Sequence, residues 1–484
     1  MVGIVSYGVY LPRLRLNRKS IFTANSWMSP GVHNLSKGER TMCNWDEDAL
    51  TMAVEASRNC TFGLDKKEID AVYLASTSLP FQDRQNAGIL ATALNLKANI
   101  ATADLTSSQR AGTSAFITGL HAIKGGDLSD ILIAASDHRI TRIGSSQEML
   151  FGDGAAALLL GSNNVIAEYK GSYSISDDFV DHYRGQNSRF DYRWEERWIR
   201  DEGYNKVVTQ TINGLFEKVG ITGGDIDRFV MPCVFNKISS GLAKKFGIDQ
   251  EKVCDNMHLV SGETGTAHSL MMLASILEKA KPGEKILLIG YGQGCDVILL
   301  ETTGSIKDVK AGENFRANLS RRKEENNYMK FLAFNDLVTL DKGIREETMH
   351  KTSTALSVMY RKKKMILGLV GGKCNECGTP QFPKMDICVN PECKAAHTQV
   401  DYEFAYQPAK VLSWTSDSLT YAADPPALYG MIQFDNGGRI MADLTDLDQD
   451  EVRTGMPVKM VFRIKLVDKQ RSFIRYFWKA TPLI

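Results

Sequence analysis

Short apolar runs alternate with helical patterns over residues 1 to about 303. The runs are continuous rather than alternating, which predicts strands of a sheet that is covered on both faces. Helical patterns at residues 46–59 and 269–281 lie between them, and Pro282-Gly283 ends the second. The clearest predicted strands are residues 70–76, 130–135, 155–160, 285–290 and 296–301.

An internal repeat links the two halves of this region. Residues 107–137 and 261–292 each contain a Gly-Thr pair, a helical pattern, a polar turn with glycine and an apolar strand. Two copies of one α/β unit, related by a pseudo-twofold axis, would place two helix N-termini face to face. Free N–H groups and partial positive charge at a helix N-terminus suit a developing oxyanion. Unrelated βαβ units also look alike, so the repeat alone does not fix the chemistry.

The C-terminal third has a different pattern. Residues 304–365 contain two basic clusters and predict a linker with one or two surface helices. Beyond residue 399, Asp435-Asn-Gly-Gly438 joins two alternating runs, and a second hairpin follows, which predicts a small β-barrel of the OB-fold type. The predicted domains are residues 1–165 and 166–303 (two halves of one α/β fold), 304–365 (linker), 366–398 (cysteine cluster) and 399–484 (OB-fold).

Four cysteines form a metal-ligand pattern: Cys374-x2-Cys377 and Cys388-x4-Cys393. Four thiolates suit a closed tetrahedral zinc site, in which no position is left for a reactive water. We therefore predict a structural zinc ribbon, with iron in a rubredoxin-like site or four unliganded thiols as alternatives. His397 lies nearby and is expected to be a surface residue.

Composition narrows the classes of function. The chain has 484 residues with 43% apolar and 24% charged residues, which is ordinary globular composition. A formal net charge of +1 argues against a protein that coats nucleic acid, and no apolar run approaches the ~20 residues that span a bilayer. The apolar start lacks a basic region and a cleavage site and predicts a first strand rather than a signal peptide. Scattered cysteines suit a reducing cytosol, so we expect a cytoplasmic protein.

Several motifs resemble the thiolase superfamily, above all the hydroxymethylglutaryl-CoA (HMG-CoA) synthases of archaeal type. They lie at residues 2–12, 46–55, 151–157 and 273–283, and residues 366–484 resemble a zinc-ribbon-plus-OB family that accompanies thiolase-like enzymes. The resemblance implies a duplicated α/β fold with αβαβα layers and an acyl-CoA substrate, with coenzyme A as part of that substrate. It also implies a homodimer or higher oligomer that pairs through an edge strand. Neither nucleic acid nor a membrane is expected as a partner.

This chain differs from the family at the positions of the family's catalytic side chains. Gln109, in Gln109-Arg-Ala-Gly-Thr113, stands where the family has its nucleophilic cysteine. Ser76-Thr77-Ser78 lacks the family's glutamate, Pro232 stands near the place of its histidine, and Glu263 replaces its asparagine. An acyl-cysteine cannot form at Gln109.

The resemblance still leaves C–C bond chemistry open, because backbone oxyanion donors survive side-chain replacement. Some thiolase-like aldolases lack the cysteine and work with zinc-ribbon-OB partners, and glutamine at this position resembles decarboxylating ketosynthase-like domains. We therefore expect an aldol or retro-aldol reaction without an acyl-cysteine. HMG-CoA synthase or a related condensing acyltransferase, and a non-catalytic acyl-CoA-binding homologue, remain as alternatives.

Candidate catalytic residues follow from the motifs. Besides Gln109, Glu263 at the second helix N-terminus is a candidate base that would need burial to raise its pKa, or else a helix cap. Tyr291 is a candidate proton donor or a packed aromatic, and His268 is a candidate acid/base or a packing residue. Cys233 is a candidate substitute nucleophile or an inert buried thiol.

Candidate substrate contacts follow from the same resemblance. Lys237 keeps the family's lysine and, with Asn236, is expected to contact the substrate, with a CoA phosphate as the partner of the lysine. A solvated surface lysine is the alternative.

Overall fold

The computed structural model describes residues 1–235, 237–309, 312–349 and 353–483. The chain divides into two compact units. The larger unit comprises Met1–Cys43, Asp48–Gly88 and Lys97–Asn335; the smaller comprises Asn44–Glu47, Ile89–Leu96 and Asp336–Ile484. Among the described residues, no helix combines the length and apolar character that crossing a bilayer requires.

The strands are numbered in chain order within these described ranges. They are β1 Gly3–Tyr10, β2 Leu14–Asn17, β3 Glu39–Met42, β4 Ile69–Ala75, β5 Ala101–Leu105, β6 Asp130–Asp137, β7 Gly154–Gly161, β8 Ala167–Ser176, β9 His182–Tyr183, β10 Tyr192–Arg193, β11 Arg228–Val230, β12 Lys285–Tyr291, β13 Gly294–Thr302, β14 Lys323–Glu325, β15 Val370–Cys374, β16 Pro380–Gln381, β17 Gln399–Glu403, β18 Ala409–Asp417, β19 Ala427–Phe434, β20 Arg439–Asp443, β21 Pro457–Asp468 and β22 Phe473–Pro482.

The helices are numbered in the same way, and a π-helical segment, Ile199–Val208, joins α6 to α7. They are α1 Arg18–Asn25, α2 Ala49–Cys60, α3 Asn86–Ala93, α4 Ala111–Gly125, α5 Ser146–Leu150, α6 Glu196–Trp198, α7 Thr209–Val219, α8 Ile238–Lys245, α9 His268–Leu277, α10 Phe315–Ser320, α11 Tyr328–Phe334, α12 Gly343–Met349, α13 Leu356–Arg361 and α14 Lys363–Leu367.

The sheet of the larger unit contains the same arrangement twice. Its order over the described strands is β11-β12-β13-β8-β1-β7-β6-β4-β5. In the first half β4 pairs parallel with β6, and β6-β7-β1 are antiparallel. In the second half β11 pairs parallel with β12, and β12-β13-β8 are antiparallel. The duplication predicted from the repeat is therefore confirmed, and β1 and β8 join the halves.

Alternating strand residues give the layers of the larger unit. Leu288 and Leu300 pack in one core with α4 and α9, whereas Leu287 and Leu299 pack in a second core with α7. Successive residues of a strand face opposite sides of the sheet, so this half of the sheet is covered on both faces. Helix α2 packs on β1 and β7 of the first half. These contacts give the αβαβα order that the resemblance implies.

A glycine lets the two central helices begin against each other. A Cβ at Gly112 would lie 2.3 Å from the carbonyl oxygen of Thr266, so only glycine fits at this position. The two helix N-termini are thus close, as the repeat predicts.

Part of the predicted linker belongs to the larger unit. Phe315 and Phe331 are buried, and β14 pairs in parallel with β2. This part of the chain is therefore partly buried, whereas the polar sequence predicts helices on the surface. The division into five domains and the oligomer remain predictions; β5 and β11 are the edge strands of the described sheet.

The smaller unit contains two β-structures. Strands β16-β15-β17 form a small sheet beside the cysteine cluster, and β20-β19-β18-β21-β22 form a five-stranded sheet. A bridge between Leu444 and Ala480 brings the two edges of the five-stranded sheet together, which closes it into a barrel. Both predicted hairpins are present in it.

Buried charges stabilise this unit. Asp46 accepts hydrogen bonds from Lys479 Nζ at 2.8 Å and from the Thr445 hydroxyl at 3.0 Å, and Arg463 lies 3.8 Å from its other oxygen. All three charged side chains are almost completely buried. The helix predicted from residue 46 therefore begins later, at Ala49, where Asp48 provides the N-cap.

We predict that Asp46→Asn lowers the free energy of unfolding by about 3–5 kcal/mol, because it leaves the buried Lys479 ammonium without its carboxylate. The control is Asp443→Asn, which removes an exposed pair with Lys465 and should cost at most about 1 kcal/mol. Urea denaturation followed by circular dichroism measures both. Equal losses in the two variants would contradict the prediction.

Candidate active site and metal centre

A cavity lies where the starts of α4 and α9, the β9–β10 hairpin and the end of β12 converge. Gln109 and Glu263 come from the segments that lead into the two helices, His182 and Arg193 from the hairpin, and Tyr291 from β12. Convergent polar groups in one cavity are typical of a ligand site. Three of these five residues are candidates from the sequence.

Gln109 and His182 form the central contact of the cavity. The Gln109 side-chain nitrogen lies 3.1 Å from His182 Nε2, and His182 Nδ1 lies 3.0 Å from Asp181 Oδ1. With the amide nitrogen as donor, His182 Nε2 is an acceptor and its ring proton lies on Nδ1, toward Asp181. Asp181 Oδ1 has no hydrogen bond among the described residues, so Asp181 places a negative charge beside the imidazole, while Nε2 of the ring faces Gln109 in the cavity.

Glu263 is buried, and its carboxylate is already paired. It forms an ion pair with buried Arg139 and accepts the Gly265 N–H at 2.8 Å. Burial raises the pKa of Glu263, but Arg139 and His268 together hold that pKa below its ordinary value. The raised pKa that a general base would need is therefore absent, and the geometry is that of a helix-start cap with a cationic partner.

Tyr291 presents a hydroxyl without a hydrogen-bond partner among the described residues. Its ring stacks on Tyr204 with centroids 4.2 Å apart, and burial raises the pKa of Tyr291. The phenol therefore stays protonated, and its oxygen, which is buried against Gly203 of the π-helical segment, has a proton free to donate.

The other sequence candidates fall in different surroundings. His268 lies outside the cavity lining, where Nε2 is 2.9 Å from the Asn256 carbonyl oxygen and burial lowers the pKa of the ring, as in a packing histidine. Cys233 lines the cavity, but burial raises the pKa of its thiol to about 12. Lys237 is exposed and outside the lining, and Asn236 lies outside the described residues.

Asp137 occupies the strand end beside the Ser-Thr-Ser tract. Its Oδ1 accepts the Thr77 N–H at 2.8 Å and the Ser78 hydroxyl at 2.7 Å, while Oδ2 accepts the Thr266 N–H at 2.8 Å. The tract that lacks the family's carboxylate thus supplies donors to an aspartate that ties the start of α9 to β6.

Sequence reasoning missed Asp137, Arg139 and the Asp181–His182 pair. The only sequence signal for the pair is a histidine beside an aspartate, in a segment where no element is predicted. Folding of the hairpin brings it to Gln109.

The four cysteine sulfurs fit one metal ion. Cys374 and Cys393 have sulfurs 3.9 Å apart, Cys377 and Cys388 have sulfurs 3.5 Å apart, and all four lie within 4.8 Å of one another. A tetrahedral site with Zn–S bonds of ~2.3 Å has sulfurs about 3.8 Å apart. The cluster is therefore compatible with a zinc ribbon.

Comparisons with known proteins agree with this architecture. The chain is 32% identical over 301 residues to hydroxymethylglutaryl-CoA synthase of Thermococcus gammatolerans, covering 60% of this chain and 83% of the relative. It is 30% identical over 345 residues to the enzyme of the same name from Methanocaldococcus jannaschii, covering 69% and 98%. The chain belongs to the hydroxymethylglutaryl-CoA synthase family.

Family models match both parts of this synthase-family chain. Residues 216–299 match the 3-oxoacyl-[acyl-carrier-protein (ACP)] synthase III C-terminal model, and residues 403–463 match the C-terminal OB-fold domain of ChsH2. The thiolase-like fold and the OB-fold predicted from the sequence are thereby confirmed.

Solved structures support the fold alone. An HMG-CoA synthase in complex with CoA aligns with a TM-score of 0.61 at 17% identity, covering 83% of this chain and 99% of that one. The 3-oxoacyl-[acyl-carrier-protein] synthase III of Aquifex aeolicus aligns with a TM-score of 0.55 at 20% identity, covering 62% and 100%.

We predict that this synthase-family chain binds about one zinc ion and that Cys377→Ser loses it, because a closed thiolate site contributes folding free energy. Elemental analysis by mass spectrometry measures the metal. Cys254→Ser, outside the cluster, is the matched control and should keep the full metal content. Metal-free wild-type protein after purification without chelators would contradict the prediction.

A second prediction concerns acid stability. Burial, with a smaller contribution from His268, lowers the pKa of His258 to about 3, and the His258 Nε2 atom has no hydrogen bond among the described residues. Between pH 6.5 and 3 the unfolded chain binds a proton at this histidine and the folded chain does not. Titration of His258 therefore leaves the free energy of unfolding unchanged above pH 6.5 and lowers it as the pH falls below 6.5.

When the pH falls from 7.5 to 5, His258 alone should lower the free energy of unfolding by about 2 kcal/mol, because each pH unit below 6.5 contributes about 1.4 kcal/mol. His258→Phe keeps a ring against His268 and removes the titration, so its loss between these pH values should be smaller by that amount. Urea denaturation at the two pH values measures the difference. Parallel losses in wild type and variant would show that His258 does not titrate in this way.

Proposed function

We propose that this chain is an acyl-CoA enzyme that makes or breaks a C–C bond by aldol-type chemistry without an acyl-cysteine. The observation that carries the proposal is the 3.1 Å contact between the Gln109 amide and His182 Nε2 at the start of α4. A non-nucleophilic donor and a basic nitrogen thus stand side by side. Relatives named hydroxymethylglutaryl-CoA synthase support the acyl-CoA class of substrate.

The proposed roles follow from the geometry. The thioester carbonyl of the substrate lies against the start of α4, where the Gln109 amide and first-turn N–H groups donate to its oxygen. In the cleavage direction, His182 Nε2 takes the proton from a β-hydroxyl group. The C–C bond to the α-carbon then breaks, its electron pair forms the thioester enolate, and a ketone or aldehyde is released.

Protonation completes the reaction. The imidazolium of His182 returns the proton to the enolate carbon, so atoms and charge balance without a redox partner. Asp181 stabilises the imidazolium that forms between the two steps. The neutral Tyr291 hydroxyl donates to the alkoxide oxygen, and Glu263 with Arg139 keeps the start of α9 in place. Condensation is the same sequence in reverse.

A thiol-based synthase mechanism is the second candidate, and the cysteine environments argue against it. Only a thiolate attacks a thioester efficiently. Burial raises the pKa of Cys233 to about 12 and also raises the pKa of the fully buried Cys295. At neutral pH both groups are protonated thiols. A non-catalytic acyl-CoA-binding homologue is the third reading and is an outcome of the test below.

We predict that His182→Gln lowers kcat for cleavage of short 3-hydroxyacyl-CoA thioesters by roughly 10²-fold or more, the scale for loss of a general base. Release of the shorter acyl-CoA, followed by liquid chromatography, measures the rate. His33→Gln replaces an exposed histidine in a 3₁₀ turn and should leave the rate within about twofold.

Intact-mass spectrometry in the same experiment checks for acylation. We expect no covalent adduct with acetyl-CoA. An adduct on Cys233 or Cys295 would overturn the proposal in favour of the synthase mechanism. Binding of acyl-CoA with no turnover of any tested thioester, in either direction, would favour the non-catalytic homologue.

A further inference from the structure

A second group of metal-ligand side chains lies in the larger unit. Cys43 directly follows the end of β3, His138 directly follows β6, and Asp153 stands immediately before β7. The Cys43 sulfur, a ring nitrogen of His138 and a carboxylate oxygen of Asp153 lie within 4.8 Å of one another. Three segments that are far apart in the sequence therefore bring a thiol, an imidazole and a carboxylate to one point.

Two of these ligand atoms are close together but do not satisfy each other. His138 Nδ1 and Asp153 Oδ1 lie 3.1 Å apart, yet in the described part of the chain neither atom has a well-directed hydrogen bond. The Asp153 side chain is 1% exposed, and buried polar atoms normally have partners. A nitrogen and an oxygen that share one tetrahedral zinc ion lie about 3.3 Å apart. The observed separation therefore suits two ligands of one ion better than a donor and an acceptor.

The surroundings fix the carboxylate and leave its inner oxygen available. Asp153 Oδ2 accepts the Cys43 N–H at 2.8 Å. The nearest guanidinium nitrogen of Arg40 lies 3.9 Å from Asp153 Oδ1, which is too far for a hydrogen bond. Another nitrogen of Arg40 donates to the Glu148 carbonyl oxygen at 2.9 Å. The charge of Arg40 weakens the binding of a cation, and a thiolate at Cys43 offsets it.

We propose that Cys43, His138 and Asp153 bind a divalent transition-metal ion, and that Zn²⁺ is the ion that suits them. Thiolate sulfur, imidazole nitrogen and carboxylate oxygen are the three ligand types of protein zinc sites, whereas calcium and magnesium prefer oxygen ligands. The Cys43 thiol releases its proton to solvent as the sulfur binds. The partly exposed side of His138, whose side chain is 19% exposed, admits the ion and leaves a fourth position for water.

This ion is additional to the one predicted for the cysteine cluster, and its site is the weaker of the two. Three protein ligands beside a buried arginine hold a cation less firmly than four thiolates, so the ion exchanges during purification in metal-free buffer. Its effect is structural, because it ties the end of β3 to β6 and β7. His138 follows Asp137, which holds the start of α9. The inference does not depend on the proposed function.

Cobalt is the probe for this site, because Co²⁺ occupies zinc sites and a bond between Co²⁺ and a thiolate absorbs in the near ultraviolet. The full-length protein is titrated with Co²⁺ while the cysteine cluster keeps its zinc. The near-ultraviolet band should rise to a plateau at about one Co²⁺ per chain, as one three-ligand centre requires.

Variants assign the band to its ligands. Cys43→Ser should abolish the band. His138→Gln keeps the thiol and should raise the Kd of Co²⁺ by about 100-fold or more, because loss of an outer-shell partner alone costs 10–100-fold. Cys254→Ser removes a half-buried thiol of the same unit and should change neither the band nor the Kd. Circular dichroism confirms that each variant is folded.

Urea denaturation gives a second readout that needs no absorption band. Zn²⁺ should raise the urea midpoint of the wild type and leave that of Cys43→Ser unchanged, because an ion that binds only the folded chain stabilises it. A wild type that gains no thiolate band would overturn the inference. A band of equal intensity in wild type and Cys43→Ser would place the cobalt in the cysteine cluster and overturn it as well, and equal Kd values in wild type and His138→Gln would contradict the ligand set.

Discussion

The starts of α4 and α9 pack backbone against backbone, because Gly112 has no side chain to separate them. A Cβ there would lie 2.3 Å from the Thr266 carbonyl oxygen. The Thr266 N–H in turn donates to Asp137 at the end of β6. Main-chain atoms and one buried carboxylate thus hold the two helix starts together. The positions of Gln109 and Glu263 follow from this contact, whatever side chains those positions carry.

This dependence explains how the family's chemical side chains can be replaced without loss of the scaffold. The groups that position the site are backbone N–H groups, glycines and strand ends, and none of them needs a thiol or an imidazole on a helix start. Glu263, at the position where the resemblance implies an asparagine, is a buried charge, and buried Arg139 compensates it. The added pair keeps the carboxylate ionised. Glu263 is therefore better suited to a structural role than to acid–base catalysis.

The layers and the repeat could be predicted from the sequence because they depend on local patterns. Apolar runs at β4, β6, β7, β12 and β13 are long enough to identify buried strands, and the cysteine spacing alone identifies the metal-ligand cluster. Asp46 shows the limit of this reasoning. Its sequence context reads as a helix start, yet a pair with Lys479, more than 400 residues away, decides its position. The same holds for residues 315–331, whose polar sequence hides buried aromatic side chains.

The same distinction between local patterns and long-range contacts applies to the catalytic candidates. Gln109, Glu263 and Tyr291 lie in motifs and could be found, but their partners could not. His182 belongs to a two-residue strand, Arg139 lies two residues beyond the end of β6, and neither lies in a periodic pattern. Long-range contacts select them. A resemblance to a family also directs attention to positions where that family has its reactive groups, and at one of them this chain carries Glu263, which has the contacts of a structural residue.

The imidazole therefore stands on a hairpin rather than on a helix or at the end of a sheet strand, and this changes what the site depends on. The hairpin has only two residues in each strand, too few to fix an imidazole to a fraction of an ångström by pairing alone. Contacts outside it supply the rigidity. Arg184 bonds both Asp191 and the Thr77 carbonyl oxygen, and the Trp194 N–H donates to the Asp181 carbonyl oxygen at 2.9 Å. Thr77 also donates to Asp137, so one network connects the hairpin, the end of β6 and the start of α9. The geometry between Gln109 and His182 is thus set in large part by residues outside the cavity lining.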